Sequence, residues 1–269
     1  MSTDDKRNKI YNLRNLYPEK FADEKTIFGH IHRGNKILIG TACGEPRYLV
    51  KSFMEYIRNN PKAFFDAEIL HVWTLDAAPY VDERYKSNFR LNSFFIGDTT
   101  RDTVNRGEAD YTPVFLSRLP DLFDRKVVPI DVALIQTSLP DEHGYLNLGV
   151  SVDIVKSAVE NADLIIAQLN SNMPCVHGDG FVHVDDIDYV IPYDEPLPEY
   201  DPTEDSEVAA QIGKYVARLV QDGDTIQVGY GSIPYAILSN LSGKKHLGVH
   251  SELLTDGVVE LMKSGVVDN

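Results

Sequence analysis

Apolar positions in this chain fall into short continuous runs, and stretches of helical spacing lie between them. Lys36-Ile37-Leu38-Ile39, Val132-Ala133-Leu134-Ile135, Leu164-Ile165-Ile166-Ala167 and Ile187 to Ile191 read as strands. The run from Ala67 to Leu75 is apolar on both faces, which predicts an internal strand of a largely parallel sheet. After Gly40-Thr41-Ala42-Cys43-Gly44-Glu45-Pro46, the residues Leu49, Val50, Phe53, Met54 and Ile57 recur at helical spacing. Pro46 therefore predicts a helix start with those five toward a core. Ser151 is placed to cap a helix running into Val155. Val208, Ile212, Tyr215, Val216 and Leu219 again follow the helical period. Strands alternating with helices predict an α/β fold of mostly parallel sheets flanked by helices.

The pattern is interrupted twice. Residues 1 to 26 are charged and broken by Pro18, a lead-in helix and loop, and Pro192 to Glu207 is acidic and proline-rich, an exposed connection. The expected organisation is an amino-terminal α/β domain at 1–190, a connection at 191–207 and the start of a second α/β unit at 208–269.

Chemistry concentrates in the last of these. Thr225-Ile226-Gln227-Val228 reads as a strand that breaks into Gly229-Tyr230-Gly231-Ser232-Ile233-Pro234. Two glycines let the backbone turn tightly and come close to a ligand. Ser232 can cap a helix with Pro234 in its first turn and Ile233, Ile237, Leu238 and Leu241 on one side. A second strand, Leu247-Gly248-Val249-His250, runs into Ser251-Glu252, so Glu252 is expected just past a strand's carboxyl end, facing one cleft with the glycine turn. Taken bare, a Gly-x-Gly turn is also a common structural connection, and a glutamate after a strand also a common cap.

Together, Gly229 to Pro234, Leu247 to Glu252 and Asp256-Gly257-Val258-Val259 resemble the acetyl-CoA hydrolase and transferase family of class I CoA-transferases, most closely its 4-hydroxybutyrate and butyrate branch. Phe94-Phe95-Ile96-Gly97, Asn105-Arg106-Gly107 and Ser138 to Gly149 extend the likeness. The resemblance implies a CoA-transferase-like fold and transfer of CoA from an acyl-CoA to a small carboxylate such as acetate, butyrate or 4-hydroxybutyrate. Glu252 falls on the family's catalytic glutamate, which carries a glutamyl-CoA thioester, and Gly229, Tyr230, Gly231, Ser232 and Ile233 fall on a loop lining the CoA and acyl site. It implies no bound cofactor and no metal, with coenzyme A or acyl-CoA as substrate. It also implies a homodimer and a further carboxyl-terminal domain or partner subunit. Gln168 and Cys175 stand where a glutamate and an arginine are expected. Acyl-CoA hydrolysis, or a non-catalytic acyl-CoA-binding or assembly role, are the alternatives.

Other polar residues keep two readings. Glu45 is either a cleft residue or a first-turn carboxylate favoured by a helix dipole. Arg101 and Arg106 are either solvated cations or partners for a carboxylate or phosphate. His143 has no nucleophile fixed beside it by sequence.

Composition narrows the field. A net charge of −15 with scattered Lys and Arg repels polyanions, which argues against nucleic acid as a partner. No apolar run approaches the roughly 20 residues that cross a bilayer, and the first residues lack a secretion signal's apolar segment. A cytoplasmic protein with no membrane partner and two reduced cysteines, Cys43 and Cys175, is expected.

Overall fold

The computed structural model describes residues 3–61, 65–75, 78–200 and 207–269, so residues 201–206 of the expected connection lie outside it. The chain divides into two compact units, one ending at Glu199 and the other spanning Tyr200–Asn269.

In the first unit, α1 (Thr3–Leu16) and α2 (Glu24–Phe28) precede β1 (Lys36–Ile39), α3 (Arg47–Asn59), β2 (Ala67–His71), β3 (Phe89–Ser93) and α4 (Asp98–Asn105). Then come β4 (Asp110–Tyr111), α5 (Leu119–Asp124), β5 (Val132–Thr137), β6 (Tyr145–Asn147), α6 (Val155–Asn161), β7 (Leu164–Leu169), β8 (Phe181–His183) and β9 (Tyr189–Pro192). Seven of these strands form one sheet in the order β4-β3-β2-β1-β5-β7-β9, parallel at every pairing, while β6 and β8 form an antiparallel pair. The expected parallel α/β sheet is what the chain forms.

Burial explains the order. β5 is buried at every position and β7 at all but its first, as required of strands covered on both faces. One face of the sheet packs Leu49, Val50, Phe53, Met54 and Ile57 of α3 against Ile37, Ile39, Ile69 and Leu134, the five helix positions read from the sequence. The other packs Leu38 and Leu70 against Phe94, Phe123 and Ala158.

The second unit contains α7 (Glu207–Ala217), β10 (Thr225–Ile226), α8 (Ser232–Ser239), β11 (Gly248–Val249) and α9 (Asp256–Lys263). β10 and β11 pair in parallel, and Leu247 bridges in parallel to Val267. α7 differs from its sequence reading. Its buried residues are Ala209, Gly213 and Ala217, while Val208, Tyr215 and Leu219 are exposed. A Cβ on Gly213 would lie 2.5 Å from the Ala236 carbonyl oxygen, so α8 crosses too closely for the larger face.

Three local expectations change as well. α6 starts at Val155, and the amides of Ile154 and Val155 donate to Asp153, not to Ser151. Ser232 lies inside α8, whose N-cap is Gly231, because φ of +121° at Gly231 already turns the chain into the helix. Residues 191–195 are not a free connection: Pro192 ends β9, and Tyr193 stacks on Tyr48 with ring centroids 3.6 Å apart. Among the described residues no helix is long and apolar enough to cross a membrane.

Candidate active site

The second unit brings its two marked stretches to one sheet edge. Ile226 pairs with Val249, and the His250 amide donates to the Ile226 carbonyl at 3.0 Å. Beyond that point the ladder stops and Ser251 takes over. Its Oγ accepts from the Val228 amide at 3.2 Å and donates to the Val228 carbonyl at 2.7 Å. Gly229 follows Val228 and Glu252 follows Ser251, so both emerge at the carboxyl ends of neighbouring parallel strands.

What surrounds them is open. Glu252 is exposed, and Leu254, Ile233 and Tyr230 nearby in sequence are exposed apolar residues. Tyr200 lies against Tyr230 with ring centroids 4.5 Å apart. Among the described residues a Cβ on Gly229 would meet nothing within 4 Å, so their packing does not require glycine there. Gly231 is different, because its φ of +121° and ψ of 178° belong to a region L side chains avoid. Past Glu252, a Cβ on Gly257 would sit 2.8 Å from Leu238, which seats the start of α9 tightly on α8.

The first unit's carboxyl edge carries more polar residues, and they are spent on one another. β1 is central, with β2, β3 and β4 to one side and β5, β7 and β9 to the other, the strand reversal at which open sheets hold ligands. Here Thr41 bonds Ser151 at 3.0 Å and also Asp153, and a Cβ on Gly44 would come within 2.6 Å of the Ser151 Cβ. Glu45 is only 2% exposed, with Thr74 Oγ1 at 2.8 Å from both carboxylate oxygens and the Leu75 amide at 3.3 Å. α3 begins only at Arg47, so the first-turn reading of Glu45 gives way to that of an anchor for the loop after β2.

The first amides of α3 are satisfied from across the sheet. Tyr48 N–H donates to Glu195 Oε1 at 3.0 Å and Leu49 N–H to Gln168 Oε1 at 3.2 Å. Gln168 Nε2 in turn donates to Glu195 at 2.8 Å, and Asn170 Nδ2 donates to Gln136 Oε1 at 2.7 Å. Tyr48 also donates its hydroxyl to Glu24 at 2.7 Å, which pushes the phenol pKa up to about 12. A cleft of about 520 Å³ runs along α3 beside Arg47, Lys51, Arg58, Pro79 and Tyr85.

His71 ends β2 fully buried, with Nδ1 2.8 Å from the Tyr80 hydroxyl and Nε2 without a partner among the described residues. Burial lowers its pKa from 6.5 to about 4, and burial together with the Glu45 charge raises that of Tyr80.

Neither arginine flagged by sequence reaches these networks. Arg101 pairs with Asp98 at 2.9 Å and Arg106 with Glu108 at 2.8 Å, both at exposed positions. His143 is exposed beside Glu142, and Cys175 is exposed. Sequence reasoning missed Ser251, Gln136, Asn170 and Glu195. A signal was present for Gln136 and Gln168, polar residues that end two apolar runs and pair in register.

Parallel strands whose polar chemistry gathers at their carboxyl ends define an α/β protein built for a ligand or substrate at that edge. More particularly, the chain belongs to the acetyl-CoA hydrolase/transferase family, since residues 1–198 match that family's N-terminal domain. It is 43% identical over 254 residues to a 4-hydroxybutyrate coenzyme A transferase of Clostridium kluyveri, covering 94% of this chain and 58% of the relative. It is 38% identical to a succinyl-CoA:acetate/propanoyl-CoA:succinate CoA transferase of Fasciola hepatica, covering 94% and 52%. A crystal structure of 4-hydroxybutyrate CoA-transferase from Porphyromonas gingivalis matches with a TM-score of 0.78 at 29% identity, covering 95% of this chain and 59% of that one. RipA from Yersinia pestis matches with a TM-score of 0.86 at 26% identity, covering 96% and 62%. The chain thus spans little more than half the length of these curated relatives.

Proposed function

We propose that the chain is the nucleophile-bearing part of a CoA-transferase that moves CoA between an acyl-CoA and a small carboxylate, with Glu252 as the nucleophile. The observation that carries this reading is an exposed carboxylate on the same strand-end edge as Gly229, whose Cβ position is open. An accessible carboxylate needs no rearrangement to meet a thioester, and open space beside a glycine lets a substrate approach the backbone. The relatives named above as transferases of 4-hydroxybutyrate and of succinyl-CoA and acetate support the substrate class.

In the proposed sequence, a Glu252 oxygen attacks the thioester carbonyl and expels CoA thiolate, leaving an acyl-glutamyl anhydride. The thiolate attacks the glutamyl carbonyl, expels the first carboxylate and leaves a glutamyl-CoA thioester. The second carboxylate attacks that thioester, releases CoA thiolate and forms a new anhydride. Thiolate attack on its acyl carbonyl gives the new acyl-CoA and restores Glu252. Backbone amides of Gly229, Tyr230, Gly231, Ser232 and Ile233 are the candidate cradle for acyl-CoA, which enters as substrate rather than cofactor.

The acceptor is acetate, butyrate or 4-hydroxybutyrate. The unit ending at Glu199 acts as the amino-terminal domain, and Tyr200–Asn269 as the beginning of a second domain that a carboxyl-terminal segment or partner subunit completes. The assembly is a cytoplasmic homodimer, and an active preparation that scatters light as a monomer overturns that part. Hydrolysis is the second reading, favoured by the exposure of Glu252 to water.

The test uses the complete protein carrying this chain. Incubation with acyl-CoA should leave a CoA adduct on the Glu252 peptide, detected by mass or trapped by borohydride, and a carboxylate acceptor should discharge it to a new acyl-CoA. Release of free acid at the same rate without an acceptor favours hydrolysis. An adduct mapped to another residue sinks the assignment.

A further inference from the structure

We infer that Ser251 is the positioning residue that sets the nucleophile against the glycine turn. This rests on the reading of Glu252 as nucleophile, and the observation behind it is independent of that reading. β10 and β11 pair over only two residues each, at an offset of 23 in sequence. Past the bond from the His250 amide to the Ile226 carbonyl the strands leave the ladder, one residue short of Ser251 and two short of Glu252.

Ser251 restores that pairing with a side chain. Its hydroxyl accepts the Val228 N–H at 3.2 Å and donates to the Val228 C=O at 2.7 Å, again at an offset of 23. One oxygen therefore answers both backbone groups of a single buried residue, as a neighbouring strand would. The next residue on each side is Gly229 and Glu252, which keep the same offset. The bridge carries the register of the sheet one step beyond the sheet itself, to the two residues on which the proposed attack depends.

Such a bridge acts on the reaction without touching substrate. Attack on a thioester requires oxygen and carbonyl carbon within about 3–3.5 Å, and a misplacement near 1 Å lowers the rate by about 100-fold. Alanine at 251 leaves both Val228 groups without this partner and frees the Gly229 turn from Glu252. Threonine keeps the hydroxyl. The carboxylate itself is untouched by either change.

The experiment measures single-turnover formation of the CoA adduct on Glu252 in the complete protein, at saturating acyl-CoA, alongside acyl-CoA affinity and hydrogen exchange at the Val228 amide. Ser251→Ala should slow adduct formation by about 10- to 100-fold, leave affinity nearly unchanged and speed exchange at Val228. Ser251→Thr should recover both the rate and the protection. A parental rate in Ser251→Ala, or a slowing wholly explained by weaker acyl-CoA binding, overturns the inference. So does a folded Ser251→Thr protein that protects Val228 yet reacts as slowly as alanine. Should alanine prevent folding, Ser251→Cys takes its place, since its longer, weaker donor fits the bridge poorly and a parental rate there is equally fatal. Glu252→Gln, run in parallel, separates the two levels. An adduct persisting in that variant overturns the nucleophile assignment and this inference with it. Its absence beside a parental rate in Ser251→Ala overturns the bridge alone.

Discussion

The two units present the same kind of edge, the carboxyl ends of parallel strands, in opposite states. In the first, Glu45, Gln136, Gln168, Asn170 and Glu195 are largely withdrawn from solvent and bonded to one another or to backbone. In the second, Glu252 is exposed and a Cβ on Gly229 would meet none of the described residues. Buried polar groups that are satisfied hold a shape, because breaking them strands a donor or acceptor away from water. A carboxylate left open at a strand end is available for reaction. Topology alone does not distinguish the two edges; the partners of each side chain do.

Mutation of the carboxylates gives the widest separation. Glu252→Gln should lower CoA exchange by at least about 10⁴-fold, the scale seen when a nucleophile is removed, with the unfolding midpoint nearly unchanged. Exchange within tenfold of the parent in a folded variant would erase the contrast.

Acid sharpens it next. Folded His71 stays neutral down to about pH 4, whereas the unfolded chain protonates near 6.5. Protons then favour the unfolded state, so stability is complete above pH 6.5 and falls as the pH drops toward 4. The loss is roughly 3 kcal/mol over that window. Urea unfolding followed by Trp73, the single tryptophan and part of the first unit, should show the loss, and His71→Gln should flatten it.

Glu45→Ala should destabilise the first unit by about 2 kcal/mol, since Thr74 and the Leu75 amide lose a buried acceptor. The same reporter measures it, and an unchanged midpoint would count Glu45 among reactive rather than structural carboxylates. The glycines of the turn divide, and the smallest effect belongs to Gly229. Gly231→Ala should cost about 1–3 kcal/mol for its backbone conformation, while Gly229→Ala should stay within about 0.5 kcal/mol yet weaken acyl-CoA binding. Unfolding curves and a binding titration decide between them, and equal losses of stability would remove the distinction.

Sequence made the large apolar elements legible because their burial follows one periodicity. β1, β5, β7 and the core face of α3 were readable from that alone. α7 was not, since its packed face of Ala209, Gly213 and Ala217 is defined by how near α8 comes, a property of the pair. Glu252 and the glycine turn could be placed at strand ends, but their joining through Ser251 depends on a register that no spacing rule supplies. The networks of Glu45 and Glu195 escaped for a related reason: their partners lie far away along the chain, and a polar residue's burial has no period.

The amide at position 168 has a consequence for how the protein counts protons. Gln168 reaches Glu195 at 2.8 Å while accepting the Leu49 amide at 3.2 Å. A glutamate there would set two carboxyl groups side by side, and such pairs share a proton and titrate jointly. The segment closing over α3 would then tighten or loosen with acidity. With glutamine one member of the pair has no proton to lose, so the Gln168–Glu195 contact needs no shared proton to hold.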